Sequence, residues 1–215
     1  MKTKKVSKMR HKIALASIDI FLSRGFAIAT MDYIAKELNM SKKTLYKYFK
    51  SKDHLIFYSI NLILRTIERR LYNIHNNEDF DELEKFQHTV EFIVENLYKI
   101  NPQYFTDLAV KYKYLWLYVD EFRRKRFIPI LYKTLIRMQK KGMIKENLDI
   151  NFILLVFYTI LTKTVGPEQI VKNNIDYRTL GIQIYELFFN GILKDKRSDY
   201  EKDFFNDDIF SIFMF

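Results

Sequence analysis

The 215-residue sequence has no cysteine, and only 3 prolines and 5 glycines. Without thiols there are no disulfides and no thiolate metal sites, which suits a reducing compartment. So few prolines and glycines leave little for the many turns of a strand-rich fold and favour helices. Long apolar runs are also missing. The stretch from Phe152 to Leu161 falls far short of the roughly 20 residues that span a bilayer. The lysine-rich start before Ile13 resembles a signal peptide only superficially, because Asp19 interrupts the apolar stretch and no small-residue cleavage site follows. These absences predict a cytoplasmic protein with no membrane partner.

Signatures of catalysis are equally scarce. His11, His54, His75 and His88 are scattered without metal-ligand spacing, and there is no nucleophile elbow, P-loop or dinucleotide-binding glycine pattern. Asp81, Glu82 and Glu84 sit at a helix start, where the helix dipole favours acids. The expectation is a protein that is not an enzyme, with no catalytic residue, no metal and no cofactor.

What is present is charge in one place. The net charge is +10, and residues 1–52 carry all of it, with 13 Lys/Arg against 3 Asp/Glu. Residues 53–215 hold 23 of each sign and are neutral. A basic module on a neutral body is the footprint of a polyanion binder. Hydrophobic residues make up 48% of the chain, enough to exclude global disorder.

The pattern along the chain is all-α. A first helix is expected over 7–24, capped by Ser7 and ended by Gly25. Thr30 caps a second helix whose buried stripe is Met31, Ile34, Ala35 and Leu38, and Asn39-Met40 make a turn. Ser41 caps a third helix, and Ser51 a fourth that runs to about residue 75. Further helices are expected over 81–100, over 102–141 with a break or kink at Pro129 and a stop at Gly142, and over 150–165 and 177–193. The tail from residue 195 has no clear assignment.

Residues 30–52, TMDYIAKELNMSKKTLYKYFKSK, thus read as a helix-turn-helix. With Leu45 facing the core, an advance of about 100° per residue brings Phe49 beside it. Lys43 and Lys47 then lie opposite, flanked by Thr44 and Tyr46. Lysine can donate to guanine or phosphate, and threonine can offer its methyl to thymine. Lys42, Lys50 and Lys52 are placed for backbone phosphates, with the helix N-terminus adding its free N–H groups. The bland alternative is a lysine-coated surface helix; the cap-turn-cap spacing and the segregated charge argue against it.

Gly25-Phe26, Thr30-Met31, Ile34-Ala35, Ser41, Thr44-Leu45-Tyr46, Tyr48-Phe49 and Lys52 together resemble the N-terminal signature of the tetracycline-repressor (TetR/AcrR) family over residues 8–60. The resemblance implies an all-helical homodimer. Its N-terminal three-helix helix-turn-helix domain, residues 1–52, would read a palindromic double-stranded DNA operator. Residues 53–215 would form a helical ligand-binding and dimerisation domain. Thr30, Tyr46, Tyr48 and Lys52 would touch phosphates, and Lys42, Lys43, Thr44 and Lys47 would make base or near-base contacts. Two positions depart from the family pattern: Asn39 stands where glycine is common, and Lys43 where a small residue or proline is common.

For the body the resemblance implies an effector pocket and a dimer interface from the last two helices. Phe86, Phe92, Tyr104, Phe105, Tyr112, Trp116, Phe122 and Tyr158 are candidates to line an apolar cavity for a small apolar or aromatic effector. Phe152, Leu155, Val156, Thr159 and Ile160 make one apolar face, and Leu180, Ile184, Leu187, Phe188 and Gly191 another; paired across a two-fold axis they would form a four-helix interface. The expected function is a ligand-responsive dimeric transcriptional regulator, a repressor rather than an activator. The alternative is a helix-turn-helix DNA-binding protein without a small-molecule ligand, controlled by a protein partner or acting architecturally.

Overall fold

The structure, a computed structural model, describes residues 2–98 and 100–164 together with 183, 184, 186, 187, 191 and 192. Among these the fold is all-α, with no strand. The helices are α1 (Lys2–Ile28), α2 (Met31–Glu37), α3 (Lys42–Tyr48), α4 (Lys52–His75), α5 (Glu82–Tyr98), α6 (Pro102–Val110), α7 (Lys113–Phe122), α8 (Ile128–Lys140) and α9 (Ile150–Thr159). Two π-helical turns, Arg123–Phe127 and Ile160–Thr164, extend α7 and α9. The expected helix over 177–193 and the tail lie largely outside the described residues.

α1 starts earlier than Ser7, because the lysine-rich residues before it are good helix formers and contain no breaker. Its C-terminal end bends at Gly25, whose φ of 73° and ψ of 172° belong to a region that only glycine enters readily. A Cβ at Gly25 would also meet the Gln103 side chain at 2.8 Å. Gly25 therefore allows both the turn and the close approach of α6.

The stretch from 102 to 141 does not break at Pro129. It breaks at Tyr112, which leaves helical geometry with φ −121° and ψ 46°. Pro129 instead sits in the first turn of α8, where its missing N–H costs nothing. The chain passes from α7 into α8 through the π turn, closed by the Ile128 amide donating to the Arg123 carbonyl. Gly142, with φ 68°, then ends α8 as expected. The Met143 and Gly142 amides close back on the carbonyls of Met138 and Gln139.

One apolar core joins the two ends of the molecule. Phe21, Phe26, Leu45, Phe49 and Leu55 are buried around the N-terminal helices, and Leu131, Met138 and Phe157 around α8 and α9. α4 begins at the basic module and runs its full length along the body, so both regions pack on the same helix. His75 near its end is held between α5 and α8, with its ring nitrogens against the hydroxyls of Thr89 at 2.9 Å and Thr134 at 3.1 Å. Burial pushes its pKa down to about 4, so the ring is neutral in the fold.

Candidate nucleic-acid interface and the cavity behind it

Side-chain caps build the reading unit. Thr30 Oγ1 accepts from the Tyr33 amide at 3.1 Å, Ser41 Oγ from Thr44 at 3.0 Å, and Ser51 Oγ from His54 at 3.1 Å. Between α2 and α3 the chain reverses at Asn39, which takes φ 50° in place of the more usual glycine. The Met40 amide returns to the Ala35 carbonyl at 2.9 Å and the Asn39 amide to Lys36 at 3.0 Å, a complete C-terminal cap for α2. A seven-residue helix cannot hold itself in water. α3 is held by Leu45 and by Phe49 just past its end, both fully buried.

With Leu45 inward, Lys43, Thr44, Tyr46 and Lys47 are exposed, as the helical advance predicts. Lys42 is also exposed, and its ammonium pairs with the Asp32 carboxylate at 2.7 Å. That contact joins the first turns of α2 and α3 and raises the lysine pKa through the hydrogen bond and charge of Asp32. Thr30 and Lys50 are exposed and Tyr48 is half-buried. Lys52 behaves differently. It is half-buried and donates to the Phe26 carbonyl at the bend of α1, and burial lowers its pKa. In the free protein its ammonium thus closes the end of α1.

Arg10, not singled out from the sequence, braces the same unit. Its Nη2 lies 2.9 Å from His54 Nε2, and its guanidinium lies over the rings of Phe49 and Tyr58 at 5.2 and 4.9 Å. Its signal was only a cation among many on α1.

The helix-turn-helix unit, with α1, meets the rest of the chain at a polar joint that local patterns do not reveal. Buried Asp107 on α6 accepts from the Ala27 amide at 2.7 Å and from Gln103 Nε2 at 2.9 Å, with Lys111 Nζ at 3.4 Å. Asn101 donates to the carbonyls of Leu22 and Ser23 through its amide and side chain at 2.8 and 3.0 Å. Beside the joint, Phe26 packs against Phe21, Tyr104 and Tyr112. The free end of α1 is therefore fastened to the start of α6.

Behind the joint lies a cavity of about 660 Å³. α1 lines one side through Leu15, Ile18 and Leu22, α4 another through Ile60, Ile63 and Ile67, and α5 to α7 close it. Three of the expected wall residues, Phe92, Tyr104 and Phe122, are there. Burial raises the Tyr104 hydroxyl well above its usual range. Four others, Phe86, Tyr112, Trp116 and Tyr158, are elsewhere. Phe86 is buried in the core. Tyr112 packs on Phe26, and burial together with nearby Asp53 pushes its pKa up to about 12. Trp116 covers the Arg123 guanidinium at 5.1 Å, and Tyr158 donates to Asp120 at 2.6 Å. The Phe105 side chain lies outside the described residues. The missed wall, α1, had a visible signal in a second apolar stripe at Leu15, Ile18 and Leu22.

On α9, Phe152, Leu155 and Thr159 are exposed, Val156 and Ile160 are half-buried, and Ile153, Leu154 and Phe157 face the core. Beyond it, Leu187 and Gly191 are exposed and Ile184 is buried, while Leu180 and Phe188 lie outside the described residues. Among the described residues no group of three or more His, Asp or Glu could hold a metal ion, and no helix is long and apolar enough to cross a membrane.

A capped helix-turn-helix with a cationic outer face, on an all-helical body, defines a DNA-binding transcriptional regulator. Residues 13–58 match the family model described as bacterial regulatory proteins, tetR family. Along its length it is 24% identical to the uncharacterized HTH-type transcriptional regulator YvaF of Bacillus subtilis (strain 168), over 89% of this chain and 99% of the relative. In fold it is similar to a transcriptional regulator from Saccharomonospora viridis in complex with choline (TM-score 0.64, 16% identity, covering 88% of this chain and all of the other). It is likewise similar to FadR from Bacillus subtilis in complex with stearoyl-CoA (TM-score 0.58, 21% identity, 86% and 99%).

Proposed function

We propose that this regulator is a homodimeric, effector-responsive repressor. Residues 1–52 form its reading head and 53–215 its regulatory body. Lys43, Thr44 and Lys47 face base edges, while Thr30, Lys42, Tyr46, Tyr48 and Lys50 grip phosphates, and Lys52 joins them on release of the Phe26 carbonyl. Two heads would meet successive major-groove faces of a palindromic operator, roughly 34–36 Å apart. The outward stripe of Phe152, Leu155 and Thr159 on α9 supports self-association, since such a face is costly to leave in water.

One observation carries the effector reading: the cavity has the head's own first helix as a wall. An occupant that holds α1 away from α4, or draws it inward, changes where the head sits through the Asp107 and Asn101 joint. Such an occupant shifts the equilibrium only through its different affinity for the DNA-competent and DNA-incompetent arrangements. Two proteins of the same fold hold choline and stearoyl-CoA, which supports a small-molecule site while leaving its chemistry open.

The test is a gel shift of the full chain on DNA upstream of its own gene, with sedimentation to count subunits. Preferential binding as a dimer is expected. A monomer with no preference over random duplex would overturn the reading, and binding that no small molecule alters would favour control by a protein partner.

A further inference from the structure

The run Arg123-Arg124-Lys125-Arg126 places four cations on one π turn, and three have an acid at hand. Arg124 Nε bonds Asp120 at 3.1 Å, Lys125 Nζ bonds Glu121 at 2.6 Å, and Arg126 Nε lies 3.5 Å from Glu68. All three are exposed. Arg123 turns the other way and lines the cavity. Some of its surface stays accessible, yet its Nη1 has neither solvent contact nor a hydrogen-bond partner. The acid that acts on it, Asp120, already accepts hydrogen bonds from Arg124 Nε and from the Tyr158 hydroxyl. The Trp116 ring covers the guanidinium on one side.

A guanidinium stays charged in proteins, and a buried charge without a bonded partner is unfavourable. A carboxylate is the group that best matches it, through short charge-assisted hydrogen bonds. The rest of the wall is mostly apolar, so an occupant must join a small anionic head to a long apolar body. The acidic wall residue, Asp19, keeps much of its surface exposed, its partial burial raises its pKa and so favours the neutral acid, and it is not among the charges that act on Arg123. The charge held inside is positive.

We propose that the effector is a carboxylate-headed amphiphile, its carboxylate accepting from the Arg123 guanidinium and its apolar tail lying along α1 and α4. This rests on reading the cavity as an effector site.

Calorimetry on the full-length protein tests it with dodecanoate, dodecanol and dodecylamine below their micelle concentrations. Dodecanoate is expected to bind about tenfold tighter than dodecanol, the difference expected of one charge-assisted hydrogen bond. Arg123→Met should bind dodecanol as before and lose the preference, and Arg123→Lys should keep part of it. The Arg123→Met melting temperature should be unchanged or higher, since the unpaired charge is gone; a merely structural arginine would lower it. Equal binding of acid and alcohol, or tighter binding of the amine, overturns the carboxylate assignment and leaves the effector site standing. Binding of none of the three overturns the effector reading and this inference with it. The wild-type series decides the matter even if Arg123→Met does not fold.

Discussion

The outer face of the helix-turn-helix and the π turn of the body dispose of their cations in opposite ways. On the head, Lys43, Lys47 and Lys50 point into solvent, and no carboxylate among the described residues pairs with them. On the π turn of the body, Arg124, Lys125 and Arg126 each have a carboxylate within 4 Å, and Arg123 is the inward exception. On the proposed reading, the difference reflects what each region is built to meet. A polyanion is met by many exposed, unmatched charges whose release of counterions drives binding. A small ligand is met by one charge inside an apolar space, where water does not weaken it.

The sharpest way to break the comparison is to remove the head alone. Leu45→Ala deletes the fully buried anchor of α3 and should cost about 2–5 kcal/mol, undoing the reading unit. Circular dichroism should show the body helices largely retained while DNA binding disappears. Loss of all helical signal together would mean that head and body fold as one unit.

Next is the seam between them. Gly25→Ala forces a Cβ against Gln103 and a non-glycine residue into φ 73°, and should cost about 1–3 kcal/mol by thermal unfolding. DNA affinity should fall with it, because the Asp107–Ala27 contact loses its register. Unchanged stability would show that α1 can straighten without help from the bend.

The smallest effect belongs to the body. His75 is held at about 4, below its ordinary 6.5, so its contribution to stability is present above pH 6.5. As pH falls from 6.5 toward 4 the unfolded chain takes up the proton first, and stability declines. The melting temperature should drop over that window, and His75→Gln should flatten the decline. An identical pH profile in the variant would remove His75 as its cause.

How much of this was legible depended on the range of the interaction. Caps, the Asn39 turn and the outward face of α3 follow from neighbours in sequence, so Thr30, Ser41, Leu45 and Lys43 could be placed by counting. Pro129 alone predicts a break or kink, whereas in the fold a first-turn position after the π turn accommodates it without a break. The joint at Asp107 pairs residues 80 apart, and no periodicity marks that contact. For the cavity, aromatic abundance found Phe92, Tyr104 and Phe122 but scattered Phe86, Tyr112 and Trp116 into core and stacking contacts. The charge inside it was hidden in a run of four cations, where the sequence does not say which one turns inward.

Fluorescence anisotropy on a labelled duplex from upstream of the gene, at several salt concentrations, tests the central claim most directly. The wild type should prefer that duplex over a scrambled one at moderate salt. The variant Lys43→Ala/Tyr46→Ala/Lys47→Ala should lose that preference and about two or more units of the logarithmic salt slope, with its melting temperature unchanged. A variant that binds as tightly and as selectively as the wild type would contradict the account.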